Sequence, residues 1–218
     1  MPEEESRADA AYKKLEEDIV TLKLKPGEAV TENQLTRDFD MGRTPIREAI
    51  QRLSWEGLVV IRPRLGIIIA DINPSDFSRV LEARHALEEL LARSAARLAS
   101  KSERQALHDC AKDMRTAASE PDVQRFLQLD KQFDELVAKA ACNPFASKAV
   151  APLQTLSRRF WFRYFGETDL NPAAWSHLEL MQAIEAGDEK SAVEKADDLM
   201  HYLRRQAAAL VATAAPSA

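Results

Sequence analysis

"TENQLTRDFDMGRTPIREAIQRLSWEGLVVIRPRLGIIIAD", residues 31 to 71, changes its hydrophobic period partway along, and that change decides the fold. Leu35 and Phe39 lie one turn apart and mark a short helix, "DMG" reads as a tight turn, and Ile46, Ala49, Ile50 and Leu53 line the inner side of a second helix. After Gly57 come two short apolar runs, "LVVI" and "IIIAD", separated by "RPRLG". They predict a β hairpin with an Arg-rich tip closed by Gly66. Two short helices followed by such a ribbon make a helix-turn-helix with a wing.

Charge gives this stretch its chemistry. The whole chain carries a net charge of -5 with a pI of about 5.5, so it is not drawn as a body to nucleic acid or to an anionic membrane. From Met41 to Gly66, however, Arg43, Arg47, Arg52, Arg62 and Arg64 face only Glu48 and Glu56, a local basic face of the kind that phosphate contact requires. The second helix begins with Arg43 and Thr44 and carries Arg47 one turn on. Guanidinium pairs bidentately with guanine edges, while a Thr hydroxyl and a helix N-terminus suit phosphates. The same arginines would also suit an ordinary solvated helix. Arg62 and Arg64 at the hairpin tip favour DNA, because such a tip can enter the neighbouring minor groove.

The chain has 218 residues, 45% hydrophobic and 30% charged, enough for one large domain or two modest ones with real cores. The opening "MPEEESRADA" is acidic, and no segment reaches the 18 or so apolar residues of a membrane span, so a cytoplasmic protein with no membrane partner is expected. Cys110 and Cys142 are too few for a disulfide framework and lack zinc or redox spacing, so they are expected as reduced thiols. Gly27, Gly42, Gly57, Gly66, Gly166 and Gly187 mark turns, and none belongs to a dinucleotide or Walker loop. "NPSD" at 73, "EPD" at 120, "NPF" at 143 and "NPAA" at 171 read as helix starts. Helices are expected at roughly 8–24, 31–40, 44–56, 74–100, 102–118, 122–141, 144–165, 172–186 and 188–213. With no strand expected after residue 71, the fold is mainly α. It comprises a winged helix-turn-helix domain over 1–71 and an all-α antiparallel helical bundle over 72–218.

The stretch "LKPGEAVTENQL…GRTPIREAIQRLSWEGLVVIRPRLG" closely resembles the winged-helix domain of GntR-family transcription regulators. The resemblance implies that Arg43, Thr44 and Arg47 contact an operator and that Gly66 is the wing-tip residue. It departs at Asn33, which stands where the family often has an Arg in the first helix, so the contact that Arg makes falls to Asn33 or is lost. From about Phe77 to Leu210, with "VLEARHALEELLARSAARLA", "LDKQFDELVAKAACNPF" and "AIEAGD" in order, the chain resembles the all-α FCD effector domain of the FadR branch. That implies a bundle enclosing a small-molecule cavity, in many members with a divalent metal (Zn, Ni or Mn) on one Asp and three His. Asp130 matches the Asp, Asp134 stands where the first His belongs, His177 matches a second His, and Leu199 aligns with the last.

Helix geometry examines these positions without the family. Measured from Phe126 at 100° per residue, Leu129, Phe133, Leu136, Val137 and Ala140 form the apolar sector, and Asp130 and Asp134 fall in it or at its edge. Buried carboxylates need a cation, a metal or donors. His177 shares a face with Leu180, Met181 and Ile184, whereas His201 lies among Asp197, Arg204 and Arg205 and reads as a surface residue. A set of Asp130, Asp134 and His177 could hold a hard or borderline cation but lacks the nitrogen-rich set that zinc prefers. Arg84, which by resemblance faces the cavity, and Arg158 or Arg159 are the alternative partners, with Trp161 beside them. An arginine, rather than a metal, is the expected partner of Asp130. The stripe Phe160, Trp161 and Tyr164 fits plain core equally well.

The expected protein is a regulator, not an enzyme. It binds a palindromic double-stranded operator as a homodimer and answers to a small effector, an organic acid, held by Arg84, Asp130, Asp134, Arg158, Trp161 and His177. The alternatives are a DNA-binding module with a degenerate, non-sensing effector domain, and a helical-bundle metalloenzyme. The enzyme would need a completed ligand set, such as the two Glu-x-x-His pairs of di-iron bundles, and the sequence does not hold two.

Overall fold

The computed structural model describes residues 6–64, 66–119, 122–164 and 169–214, with side chains as far as 210. Gly166 and the Glu120–Pro121 turn lie outside them. The chain separates into two compact units, Met1–Asn73 and Pro74–Ala218.

In the first unit α1 (Arg7–Val20), α2 (Glu32–Phe39) and α3 (Arg43–Trp55) enclose a core of Ala11, Leu15, Ile19, Leu35, Ile46, Ile50 and Leu53. Ser6 caps α1 by accepting from the Asp9 amide, and Thr31 caps α2 by accepting from the Gln34 amide at 3.2 Å. Asp40 ends α2 in the left-handed region at φ 51, which makes the tight turn into α3. α1 stops at Val20, short of the expected residue 24. The chain turns at Leu22 (φ 57), with the Leu24 amide returning to the Asp18 carbonyl, although Leu22 and Leu24 prolong the apolar pattern.

The wing is a three-stranded antiparallel sheet in the order β1-β3-β2, built from β1 (Ala29–Val30), β2 (Val59–Arg62) and β3 (Gly66–Ile69). The hairpin pairs Val59 with Ile69 and Arg62 with Gly66. β1, absent from the sequence reading, pairs Val30 with Ile67. Two residues carry no alternation to detect. Arg64 bends the tip at φ 68 and Gly66 at φ 91, where a Cβ would meet the Val30 carbonyl oxygen at 2.9 Å.

The second unit is all helix among the described residues: α4 (Pro74–Leu98), α5 (Lys101–Ala118), α6 (Val123–Ala140), α7 (Pro144–Tyr164), α8 (Asn171–Ala186) and α9 (Glu189–Ala214). α4 packs along α9, α7 and α6, and α8 lies against α5 and α9. Ser100 and Glu103 form a complete capping box at the start of α5. One turn on, Arg104 donates to Ala96 and Ala99 at the end of α4 and to Ile184 and Glu185 at the end of α8. A single guanidinium thus satisfies the last carbonyls of two helices. Cys110 is a buried free thiol that burial, with Asp113 next, pushes up to about 12; Cys142 is an exposed one.

Gly66→Ala is expected to lower the stability of the first unit by about 1–3 kcal/mol, because it combines a strained φ with a close backbone contact. Chemical denaturation of the variant checks this, and an unchanged midpoint would contradict it.

Candidate functional site

Two candidate sites are laid out, one in each unit. In the first, Arg43 and Thr44 occupy the opening turn of α3 and are exposed, as are Arg47 one turn on, Arg62 and Arg64 on the wing, and Asn33 on α2. Gly42 precedes α3 and brings no capping side chain, so among the described residues no N-cap side chain accepts from the first-turn amides of the helix. Arg47 is pre-aligned rather than loose: its Nε donates to Glu32 Oε2 at 2.8 Å. Arg52 belongs to a different arrangement. It lies 3.5 Å over the Tyr12 ring and pairs with Glu56 at 3.1 Å, while the Tyr12 hydroxyl donates to the other oxygen of Glu56 at 2.8 Å. It therefore ties α3 to α1.

In the second unit Arg84 from α4, Asp130 and Asp134 from α6, Arg158 and Trp161 from α7, and His177 from α8 are all buried. Arg158 is the hinge of the group. Its Nη1 donates to Asp134 Oδ2 at 2.6 Å and to Asp130 Oδ2 at 3.3 Å, and its Nη2 to Thr155 Oγ1 at 3.2 Å. Arg84 donates through Nε to Glu88 at 2.6 Å and through Nη1 to Ser157 at 3.2 Å, and its Nη2 stands 3.7 Å from Asp134. Gln154 donates to the same Glu88 oxygen at 3.0 Å. Phe126 and Phe133 turn their rings edge-on to His177. Arg159 is buried too, but the acid pair is met by Arg158.

The sequence reading did not include Glu88, Gln154, Ser157 and Thr155. Glu88 had a readable signal, since it follows Arg84 by four residues on a face that also holds Leu81 and Leu91. The other three had none, because an uncharged polar residue on a buried face is not distinguishable by period.

The proton inventory follows from the partners. Glu88, Asp130 and Asp134 bring three carboxylates against the guanidiniums of Arg84 and Arg158. One proton balances the group. His177 Nδ1 lies 2.7 Å from the Ala173 carbonyl and Nε2 2.9 Å from Asp130 Oδ1. Both partners are acceptors, so the doubly protonated ring satisfies them together. Burial opposes the charged ring, yet the Asp130 bond and charge raise its pKa above the ordinary value. Burial likewise opposes ionised Asp130, and the bond from His177, with Arg158 and Arg84, more than offsets it and holds that carboxyl well below the usual range. Asp134 goes the other way. Burial and the Asp130 charge push it up to about 7 despite the arginines.

These residues do not fit the metal centre that the family resemblance implies. The position between Asp130 and Asp134 is taken by a guanidinium nitrogen, both nitrogens of His177 are engaged, and the fourth place holds Leu199, buried and without a donor atom. At the set of Asp130, Asp134 and His177 considered from sequence as metal ligands, the cation in place is the Arg158 guanidinium. The space beside the group, lined in part by Arg84, Asp130, Arg158, Trp161 and His177, is about 20 Å³, room for about one water.

Removing Arg158 leaves two buried carboxylates facing each other, so Arg158→Ala is expected to cost about 3–5 kcal/mol, read by denaturant unfolding. A loss under 1 kcal/mol would show the pair solvated. The pH response is also fixed in sign. His177 has a raised pKa, so its contribution is full below about 6.5 and is lost as pH rises through the raised value. Asp134, raised to about 7, also binds its proton more tightly when folded, so stability falls as pH rises from about 4 to 7. The melting temperature should therefore decline between pH 5 and pH 8, and the decline should flatten in His177→Gln.

Comparison with known proteins agrees with both halves. The family "Bacterial regulatory proteins, gntR family" matches residues 7–69, and the FCD domain matches residues 79–202. The HTH-type transcriptional repressor RspR of Escherichia coli (strain K12) is 28% identical over 188 residues, spanning 85% of this chain and 81% of that protein. An HTH-type transcriptional regulator of Agrobacterium vitis is 37% identical over 139 residues, spanning 62% of this chain and 81% of its own. Among solved structures, Escherichia coli McbR/YncC shares the fold, with a TM-score of 0.82 at 15% identity over 95% of this chain and 100% of that one. The chain belongs to the GntR family of bacterial regulatory proteins, as a DNA-binding transcriptional regulator with a winged helix-turn-helix followed in sequence by an FCD domain.

Proposed function

We propose that the protein is a homodimer that reads a palindromic operator through α3 and its wing, under the control of a small organic acid bound in the FCD domain. The observation that carries the DNA-reading part is the placement of Arg43, Thr44 and Arg47 on the exposed opening turns of α3, where no side chain caps the first amides. Arg43 and Arg47 read base edges, and Thr44 and the free amides hold a phosphate. Arg62 and Arg64 follow the minor groove, and Asn33 on α2 offers only a neutral contact where a relative could have an arginine. Glu32 holds Arg47 in place until DNA competes for its guanidinium. Two-fold symmetry of a dimer matches a palindrome.

Effector control rests on Arg84, Arg158 and His177, three buried donors with Trp161 beside them. A carboxylate ligand would take over the donors that Asp134 and Glu88 now occupy, and with only about 20 Å³ free it must open the bundle to enter. That opening is the conformational change available to couple ligand to DNA affinity. A second reading has support from the same observation. With both guanidiniums already satisfied by Glu88, Asp130 and Asp134, the FCD domain also suits a closed scaffold that senses nothing.

Arg43→Ala combined with Arg47→Ala should abolish preference for a selected palindrome in a gel shift, each bidentate contact being worth about 1–3 kcal/mol. Wild-type affinity in that variant would remove α3 from the reading role. A thermal-shift panel of mono- and dicarboxylic acids separates the two readings of the FCD domain. A rise with at least one acid, lost in Arg84→Met, supports sensing, whereas no rise with any supports the closed scaffold.

A further inference from the structure

We propose that the FCD domain carries a divalent-metal site on the outer side of α4 and α9, formed by His85, Asp197 and His201 and separate from the Arg158 cluster. His85 follows Arg84 on α4, so the same turn that sends Arg84 inward presents His85 toward α9. Asp197 and His201 are one turn apart on α9, a spacing that places two side chains on one helix face as a chelating pair. The packing of α4 along α9 brings the third group to them. His85 Nε2 lies 2.8 Å from Asp197 Oδ1, and His201 Nδ1 lies 3.0 Å from that same oxygen. One ligand atom from each of the three falls within 4.8 Å of the others. Glu89, whose Oε1 is 3.1 Å from His85 Nε2, adds an oxygen at the edge of the group.

Two features separate this from ordinary surface ion pairing. His85 Nε2 is a buried atom that, among the described residues, makes no hydrogen bond, despite two carboxylates at ion-pair distance. Its direction therefore misses both oxygens, as it should if nitrogen and oxygens converge on a common point between them. The spacings also suit an ion: atoms bound at about 2.1 Å stand about 3 Å apart at a right angle and about 3.4 Å apart in a tetrahedron. The two imidazoles meet with ring centroids 5.6 Å apart at 83°, so neither ring covers the shared centre. His201 is exposed, and its ring is able to turn, giving up the contact of Nδ1 with the Asp197 carbonyl when it ligates. Two imidazoles with one or two carboxylates suit a borderline cation such as Zn²⁺, Ni²⁺ or Co²⁺ better than Mg²⁺ or Ca²⁺, which call for oxygen. Such an ion would clasp the first helix of the domain to the last.

The test is a Co²⁺ titration of tag-free, full-length, chelator-treated protein, followed by the visible absorption of the bound ion and by melting temperature. The expected result is one Co²⁺ per chain, a higher melting temperature, and affinity at least about tenfold weaker in His201→Ala and in His85→Ala. His201 is exposed, so that variant folds whatever the outcome for His85. His177→Gln and Asp134→Asn should keep wild-type affinity. Wild-type Co²⁺ binding in His201→Ala, no binding by the wild type, or loss in His177→Gln with retention in His201→Ala would each overturn the proposal.

Discussion

The FCD domain is organised around one buried cation, the Arg158 guanidinium, lodged between two carboxylates that stand one turn apart on α6. A helix that buries Asp130 and Asp134 is untenable alone, because two like charges removed from water must be neutralised where they stand. That requirement fixes the register of α7 against α6, since only one turn of α7 offers Arg158 together with Thr155. It also fixes α8, which must bring His177 to the remaining oxygen of Asp130. Arg84 and Glu88 tie α4 into the same group. Four helices are thus positioned by one electrostatic problem, and the apolar core fills in around its solution.

Where the family resemblance implies a metal, the described residues place a side chain of the protein itself, the Arg158 guanidinium. Aspartate at 134 in place of histidine adds a negative charge, Leu199 removes a ligand, and the guanidinium answers both changes at once. An arginine is tethered and always charged, so the pairing of the two aspartates calls for no ion. It does depend on pH, because three carboxylates against two guanidiniums leave one proton to be held by His177, with Asp134 next to take one.

Much of this was legible in the sequence, and the failures are physical ones. Helical period placed Asp130 and Asp134 on the buried side, and burial of a carboxylate demanded a cation; Arg84, offered by the family resemblance, and Arg158 or Arg159 were the candidates, of which Arg158 meets both acids and Arg84 stands beside Asp134. The change of period after Gly57 gave the wing, and its charge placed Arg62 and Arg64 at the tip. The β1 strand was not legible, since two residues have no period, and it exists because β3 had an unpaired edge beside the Gly27 turn. The end of α1 was misread because apolar Leu22 and Leu24 continue a pattern that the backbone abandons at Leu22. His201 read correctly as a surface residue, but its meeting with His85 depends on how α4 lies along α9, information that no single helix contains.

The central claim, that a guanidinium and not an ion neutralises the paired aspartates, is most directly tested by anomalous diffraction from crystals grown with Zn²⁺ or Mn²⁺. No anomalous peak is expected within bonding distance of Asp130, Asp134 and His177, and density is expected for Arg158 Nη1 between the two carboxylates. An ion coordinated by Asp130 and His177, with Arg158 turned away, would contradict it.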